Sequence, residues 1–205
     1  LLGACERLGV PRGALLASAE LDAAVVADPD ARLPAEKVAA VWREAYRRTG
    51  DPYLALHAAE ALPFGAYKVF DYVALGSSTV GHGLEQVARY FKLINDRVRF
   101  TIERSSCDVG ITLDFEDGTH PSGPYVDYTF AAIVLRTRAR WGYAWPLVRV
   151  ELASALPLST REHRRVFACD VVFGARFNRI VVARDTWETG DRKSTRLNSS
   201  HRLTS

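Results

Sequence analysis

Methionine is missing from all 205 residues, and the chain begins at Leu1. A reading frame opens on Met, so the natural start is expected upstream. Cysteine is scarce: Cys5, Cys107 and Cys169 are an odd number, far apart, with no C-x-x-C, which argues against a disulfide framework and suits the reducing cytoplasm. The histidines His57, His82, His120, His163 and His201 are scattered without ligand spacing, so no metal is expected. No apolar run reaches the length of a membrane span, and the start at Leu1 has no secretory signal. Nucleophile elbow, phosphate loop, zinc motif and dinucleotide fingerprint are all lacking. The chain is therefore read as no enzyme and as needing no cofactor.

A surplus of one charge sign is lacking too, once its source is traced. The net charge is +3, from 27 basic and 24 acidic residues. Residues 191–205 supply Arg192, Lys193, Arg196 and Arg202 against Asp191, and without them 23 basic residues balance 23 acidic ones. A basic balance would have hinted at nucleic acid; here the hint belongs to the tail, and the remainder makes no overall electrostatic case for binding DNA. The run DRKSTRLNSSH from Asp191 to His201 is polar and aperiodic, so disorder is expected. It resembles a translated sequencing-adapter read-through. The division expected is one domain over 1–188, then the start of a linker and a non-native tail over 189–205.

What the chain does have is 48% hydrophobic residues, enough for one core. It is organised around Phe64 to Phe115. Two helical patterns meet there at Gly76-Ser77-Ser78-Thr79; in the second, Leu84, Val87, Ala88, Phe91 and Ile94 recur at threes and fours and make one stripe. Val98, Phe100 and Ile102 then alternate with polar residues, as do Val109, Ile111, Leu113 and Phe115 beyond the polar link Ser105–Asp108, which predicts an antiparallel hairpin with one apolar face.

Before this stretch, two short helices broken at Gly9-Val10-Pro11 are expected, with Pro11 at a first helical position. A turn at Asp28-Pro29-Asp30 follows, then a helix entered at Pro34 with Val38, Val41, Trp42, Ala45 and Tyr46 on one face and Gly50 as its stop. Asp51 and Pro52 read as N-cap and first residue of the next helix. After the hairpin, Pro124 opens a long helix ending near Gly142, with a stripe of Val126, Phe130, Ile133, Val134 and Thr137. Val148, Val150 and Leu152 mark a strand; Ser159 and Glu162 read as a capping box for a short helix; Val171 to Phe173 and Phe177 to Ala183 read as a strand pair about Gly174. The order gives an α+β fold, with N-terminal helices packed on a small, mainly antiparallel sheet in a single domain.

No constellation carries chemistry. Cys107 is read as turn filler, His120 and His163 as surface residues, and His82 as a helix-end hydrogen-bonding group, with Gly81 and Gly83 beside it marking close packing or a loose first turn. The aromatics offer more, because a small-molecule pocket is mostly apolar with a few placed polar groups. Tyr67, Tyr72, Tyr90, Tyr125, Tyr128, Trp141 and Trp145 lie along three helices and one loop that could face one another, and Asp71 and Asp127 beside them could anchor a cationic or hydroxylated ligand. Ordinary core packing and a solvated helix face are the alternatives at each position.

Phe64-Gly65, the run Ser77 to Gly81, Leu84 and Tyr90, with ARLPAEKVAAVWREAYRRTGDPYLAL upstream and HRRVFACDVVFGARFNRIVVAR downstream, resemble in order the effector-binding N-terminal domain of AraC/XylS transcription regulators, the branch labelled arabinose-binding. The resemblance spans nearly all of residues 1 to 188. It implies a ligand-sensing, dimerising domain that binds a small metabolite, meets DNA only through a separate C-terminal helix-turn-helix domain, and involves no membrane. A jelly-roll barrel, which sugar-binding relatives would suggest, needs more strand than is present. The chain would then be a fragment clipped near the linker at Asp185 to Gly190. A stand-alone ligand-binding or dimerisation module is the alternative.

Overall fold

Gly9, with φ at 80°, and the ring of Pro11 interrupt the first helical run, leaving α1 (Leu2–Arg7) and α2 (Arg12–Ser18). Pro11 is the extended residue just before α2 rather than its first member. A third helix, α3 (Ala23–Ala27), is absent from the sequence reading; its whole length is unburied, and it is held by Asp22, whose carboxylate accepts the Ala24 amide at 2.8 Å.

The computed structural model describes residues 1–28, 31–63, 65–67, 71–72, 76–121, 123–141 and 145–190, and the chain divides into two compact units, Leu1–Leu62 and Pro63–Ser205. The expected turn at Pro29-Asp30, the end of the long helix at Gly142 and the tail 191–205 lie outside the described residues.

In the first unit α4 (Ala35–Thr49) stops at Gly50, whose φ of 64° suits a residue without a Cβ. Val41 and Ala45 are buried with Cys5, Val10, Leu15 and Leu54, and Trp42 and Tyr46 pack against them. Val38 is 37% exposed, at the solvent margin of the stripe. Helix α5 (Leu54–Glu60) begins later than expected. Asp51 accepts the Tyr53 amide at 2.9 Å and bonds His57 Nδ1 at 2.6 Å; closing that side-chain turn uses Pro52 and Tyr53 before the helix can start.

The second unit holds a five-stranded sheet in the order β1-β2-β5-β3-β4. β1 (Val98–Arg104) and β2 (Asp108–Phe115) form the expected hairpin, Val98 opposite Phe115 and Arg104 opposite Val109. Val98, Phe100, Val109, Ile111 and Leu113 are buried on one face. The other face of β2 is also closed, because the Arg179 side chain lies over Gly110 and bonds the Thr112 hydroxyl at 3.0 Å. Helix α6 (Val80–Tyr90) packs on β1 and is capped by the Thr79 hydroxyl, which accepts the His82 amide at 3.1 Å. Its stripe ends early: the chain tightens into a 3-10 turn at Phe91–Leu93, and Ile94 is 41% exposed, since a change from 3.6 to 3 residues per turn rotates it off the buried side.

The long helix is α7 (Pro124–Trp141), burying Val126, Phe130 and Val134. It leads to β3 (Leu147–Leu152), where Val148 is exposed and Leu147 buried; the register against β5 slips between Leu147 and Arg149, and that extra residue turns the alternation over. Helix α8 (Arg161–Phe167) has Thr160, not Ser159, at its N-cap; the Ser159 hydroxyl accepts the Arg161 amide, two residues on, at 3.3 Å, and Glu162 pairs with Arg165 at 2.7 Å. His163, read as a surface residue, is buried, because the helix turns it inward with Val166 and Phe167. β4 (Asp170–Phe173) and β5 (Asn178–Ala183) are not partners. β3 lies between them, parallel to β4 and antiparallel to β5, since the α8 crossover returns the chain beside β3 in the same direction. Helix α9 (Arg184–Trp187) then packs on α6, β2 and β5, and the Val80 amide donates to Thr189 O at 3.0 Å. The fold is α+β with a mainly antiparallel sheet.

Candidate functional site

Most of the groups come from α7. Pro124 starts it with a fixed φ and no amide to satisfy, and the three-residue spacing puts Tyr125 and Tyr128 on one side. The Tyr128 and Tyr67 hydroxyls are hydrogen-bonded, and Asn95 Nδ2 donates to Tyr125 Oη at 3.1 Å. Burial pushes all three phenols above the ordinary tyrosine range, Tyr67 well above it, where the neighbouring Tyr128 adds to the effect. They are neutral at physiological pH, and in the bonded Tyr67–Tyr128 pair one hydroxyl proton is spent on the other oxygen.

Eight residues after Tyr128, Arg136 sits on the same side of α7. Its Nη1 donates to Asp71 Oδ1 at 2.6 Å, its Nη2 to Pro63 O at 3.0 Å, and its guanidinium carbon stands 4.9 Å over the Tyr67 ring. Asp71 Oδ2 accepts the Gly65 amide at 2.8 Å and the Tyr67 amide at 3.2 Å. The side chain of Asp71 is only 4% exposed, so one buried carboxylate ties the backbone of Gly65 and Tyr67 to α7. Arg136 Nε is buried with no hydrogen-bond partner among the described residues.

Asp127 points elsewhere, to His163 on α8, with Oδ2 at 3.3 Å from Nε2; its Oδ1 is buried with no hydrogen-bond partner among the described residues. The His163 and Phe173 rings meet edge to face, with centroids 5.0 Å apart.

Of the residues singled out from the sequence, Tyr67, Asp71, Tyr125 and Tyr128 are thus brought together, with Asp127 also on α7, and Trp145 is buried beyond the end of that helix. Tyr72 is 64% exposed and Tyr90 38% exposed. Tyr90 carries the Arg89 guanidinium at 5.3 Å, and half-buried Trp141 carries that of Arg140 at 4.5 Å. Arg136, Asn95 and His163 were missed. An arginine inside the apolar run AAIVLRTRAR was the available signal for the first: a charge on a helix's inner face needs a buried partner.

This arrangement offers hydrogen-bond donors beside aromatic faces, the kind of lining a small-molecule site uses. The family model described as the arabinose-binding domain of AraC transcription regulator, N-terminal, matches residues 9–190. The chain belongs to this family. As an AraC-type effector-binding domain it also resembles a solved structure, the transcriptional regulator CdpR from Pseudomonas aeruginosa, with a TM-score of 0.62 at 20% identity, over 87% of this chain and 55% of that one. At that identity the likeness is one of fold, and this domain spans about half of the regulator it matches. Among curated proteins none matches in sequence. No helix among the described residues is long and apolar enough to cross a membrane.

Proposed function

We propose that this AraC-type domain binds a small metabolite beside the tyrosine cluster, forms a homodimer in the cytoplasm, and so controls DNA binding by a helix-turn-helix domain outside this chain. The carrying observation is the burial of three neutral phenols, Tyr67, Tyr125 and Tyr128, around the Arg136–Asp71 ion pair. Such groups favour a hydroxylated or acidic ligand that accepts hydrogen bonds and stacks on rings. Asp71 serves by fixing Arg136, whereas Asp127 keeps an oxygen for a ligand donor; Tyr72, Tyr90 and Trp141 complete the candidate set at its periphery. Regulation requires that the ligand bind the two DNA-binding arrangements with different affinity.

The test is thermal unfolding against a panel of sugars, hydroxy acids and aromatic acids, with L-arabinose included. A ligand at a hundred times its dissociation constant raises stability by about 2.7 kcal/mol, and Tyr128→Phe and Asp127→Ala weaken that response more than they weaken the fold. Equal loss of both makes these residues core. A panel without any shift, together with a dimer in sedimentation, favours the second reading, a dimerisation module that has no ligand.

A further inference from the structure

The overall neutrality of residues 1–190 conceals a segregation of charge. Residues 134–184 contain ten arginines and no lysine against Glu151, Glu162 and Asp170. Several are consumed internally: Arg136 by Asp71, Arg149 by Glu151, and Arg179 by Glu103. Of the three on α8, Arg161 and Arg164 are not. Its inner side buries His163, Val166 and Phe167, which leaves Arg161, Arg164 and Arg165 exposed and together, at spacings of three and four. Among the described residues Arg161 and Arg164 have no acidic partner; Arg165 pairs with Glu162 at 2.7 Å. Helix stability does not account for the set. Cations suit the C-terminal turn where Arg164 and Arg165 stand, but Arg161 is the first residue, at the end where the helix dipole disfavours a positive charge. The platform is also anchored, since Arg138 of α7 donates to the α8 carbonyls of Val166, at 2.8 Å, and Phe167.

We infer that the outer face of α8 is an auxiliary contact for the phosphate backbone of duplex DNA. Arginine suits such a surface, because its planar fork grips phosphate oxygens bidentately, and backbone contact of this kind is independent of base sequence. In a regulator that holds DNA through another domain, three such arginines would fix how this domain lies along the duplex. The inference rests on the regulator reading but not on the ligand site.

The experiment is fluorescence anisotropy of the whole chain on a random-sequence duplex across a salt series. Wild type is compared with Arg161→Gln/Arg164→Gln/Arg165→Gln, and with Arg192→Gln/Lys193→Gln/Arg196→Gln/Arg202→Gln to isolate the basic tail. Each phosphate neutralised contributes about 0.9 to the slope of log affinity against log salt, so loss of the α8 arginines lowers the slope by about 2 to 3. The tail variant keeps that α8-dependent part of the slope. An α8 variant with wild-type slope and affinity overturns the inference, as does α8-dependent binding to anionic lipid vesicles without binding to DNA. Circular dichroism and thermal unfolding, expected unchanged because the three residues are exposed, establish that the variant is folded. Effector binding is measured separately, so failure here leaves the ligand reading standing.

Discussion

Replacing Gly81 by alanine tests the packing of α6 directly. In an exposed helix the exchange stabilises by about 1 kcal/mol, because alanine loses less backbone entropy. Here the new Cβ would stand 2.1 Å from Trp187 Nε1, 2.4 Å from Cδ1 and 2.5 Å from Cε2. Carbon contacts are comfortable at about 3.5 to 4 Å, so the indole or the helix must retreat by more than about 1 Å. Neither has room, since Trp187 is 4% and Val80 1% exposed, and the backbone bond from Val80 to Thr189 ties the same helix to the end of α9. Overpacking of this kind costs about 1 to 3 kcal/mol, and full ejection of the ring approaches the roughly 3 to 5 kcal/mol of a buried Trp→Ala change. Net of the propensity gain, Gly81→Ala is expected to destabilise by up to about 4 kcal/mol, a fall in Tm of up to roughly 8 to 16 °C for a chain this long. The decisive control is the background. In Trp187→Ala, itself destabilised, adding Gly81→Ala becomes slightly stabilising, a coupling of about 1 to 5 kcal/mol in a double-mutant cycle, equal to the overpacking cost. A Tm that rises in the wild-type background, or effects that simply add, would refute the contact.

Three further outcomes are expected. Asp71→Ala strands the Arg136 guanidinium and frees the Gly65 and Tyr67 amides, costing about 3 to 5 kcal/mol, whereas Asp71→Leu with Arg136→Met is milder than either single change; urea unfolding measures both. Phenols raised by burial hold stability that is complete below the ordinary tyrosine value of about 10 and lost as pH rises through their folded values. Alkaline unfolding should therefore begin near that pH and be blunted in Tyr67→Phe, and ultraviolet absorbance should show late ionisation of Tyr67. With a thiol reagent, exposed Cys107 reacts first, while Cys169, its thiol pushed up to about 11 by burial, and buried Cys5 lag behind.

Among single residues, Asn178 shows how far a side chain can act from its place in the sequence. Its amide, 1% exposed, donates to Pro121 O at 2.6 Å and accepts the Ala153 amide at 2.9 Å. Nothing in the run RFNRI marks it, because both partners are loop backbone brought near only by the completed sheet. His163 was misplaced for a similar reason: the charged run REHRR reads as solvated throughout, although the helical turn carries its third member inward. The tyrosines of α7 were legible as amphipathic groups, but Arg136 and Asn95, which organise them, were not.

By itself the sequence determined whatever depends on neighbours a few residues apart. The alternation from Val98 to Phe115 fixes the first hairpin, Gly50 ends α4, Pro124 starts α7, and the ordered motifs carry the family; each is a local choice of backbone angle or of a single buried face. Only the tertiary structure decided that β3 separates β4 from β5, that Val148 is turned outward at a bulge, that Trp187 fills the space Gly81 leaves, and that Asp71 is closed by an arginine 65 residues away. These depend on which surfaces meet once the layers are packed. A buried charge or a missing Cβ makes sense only opposite the partner that the rest of the chain delivers.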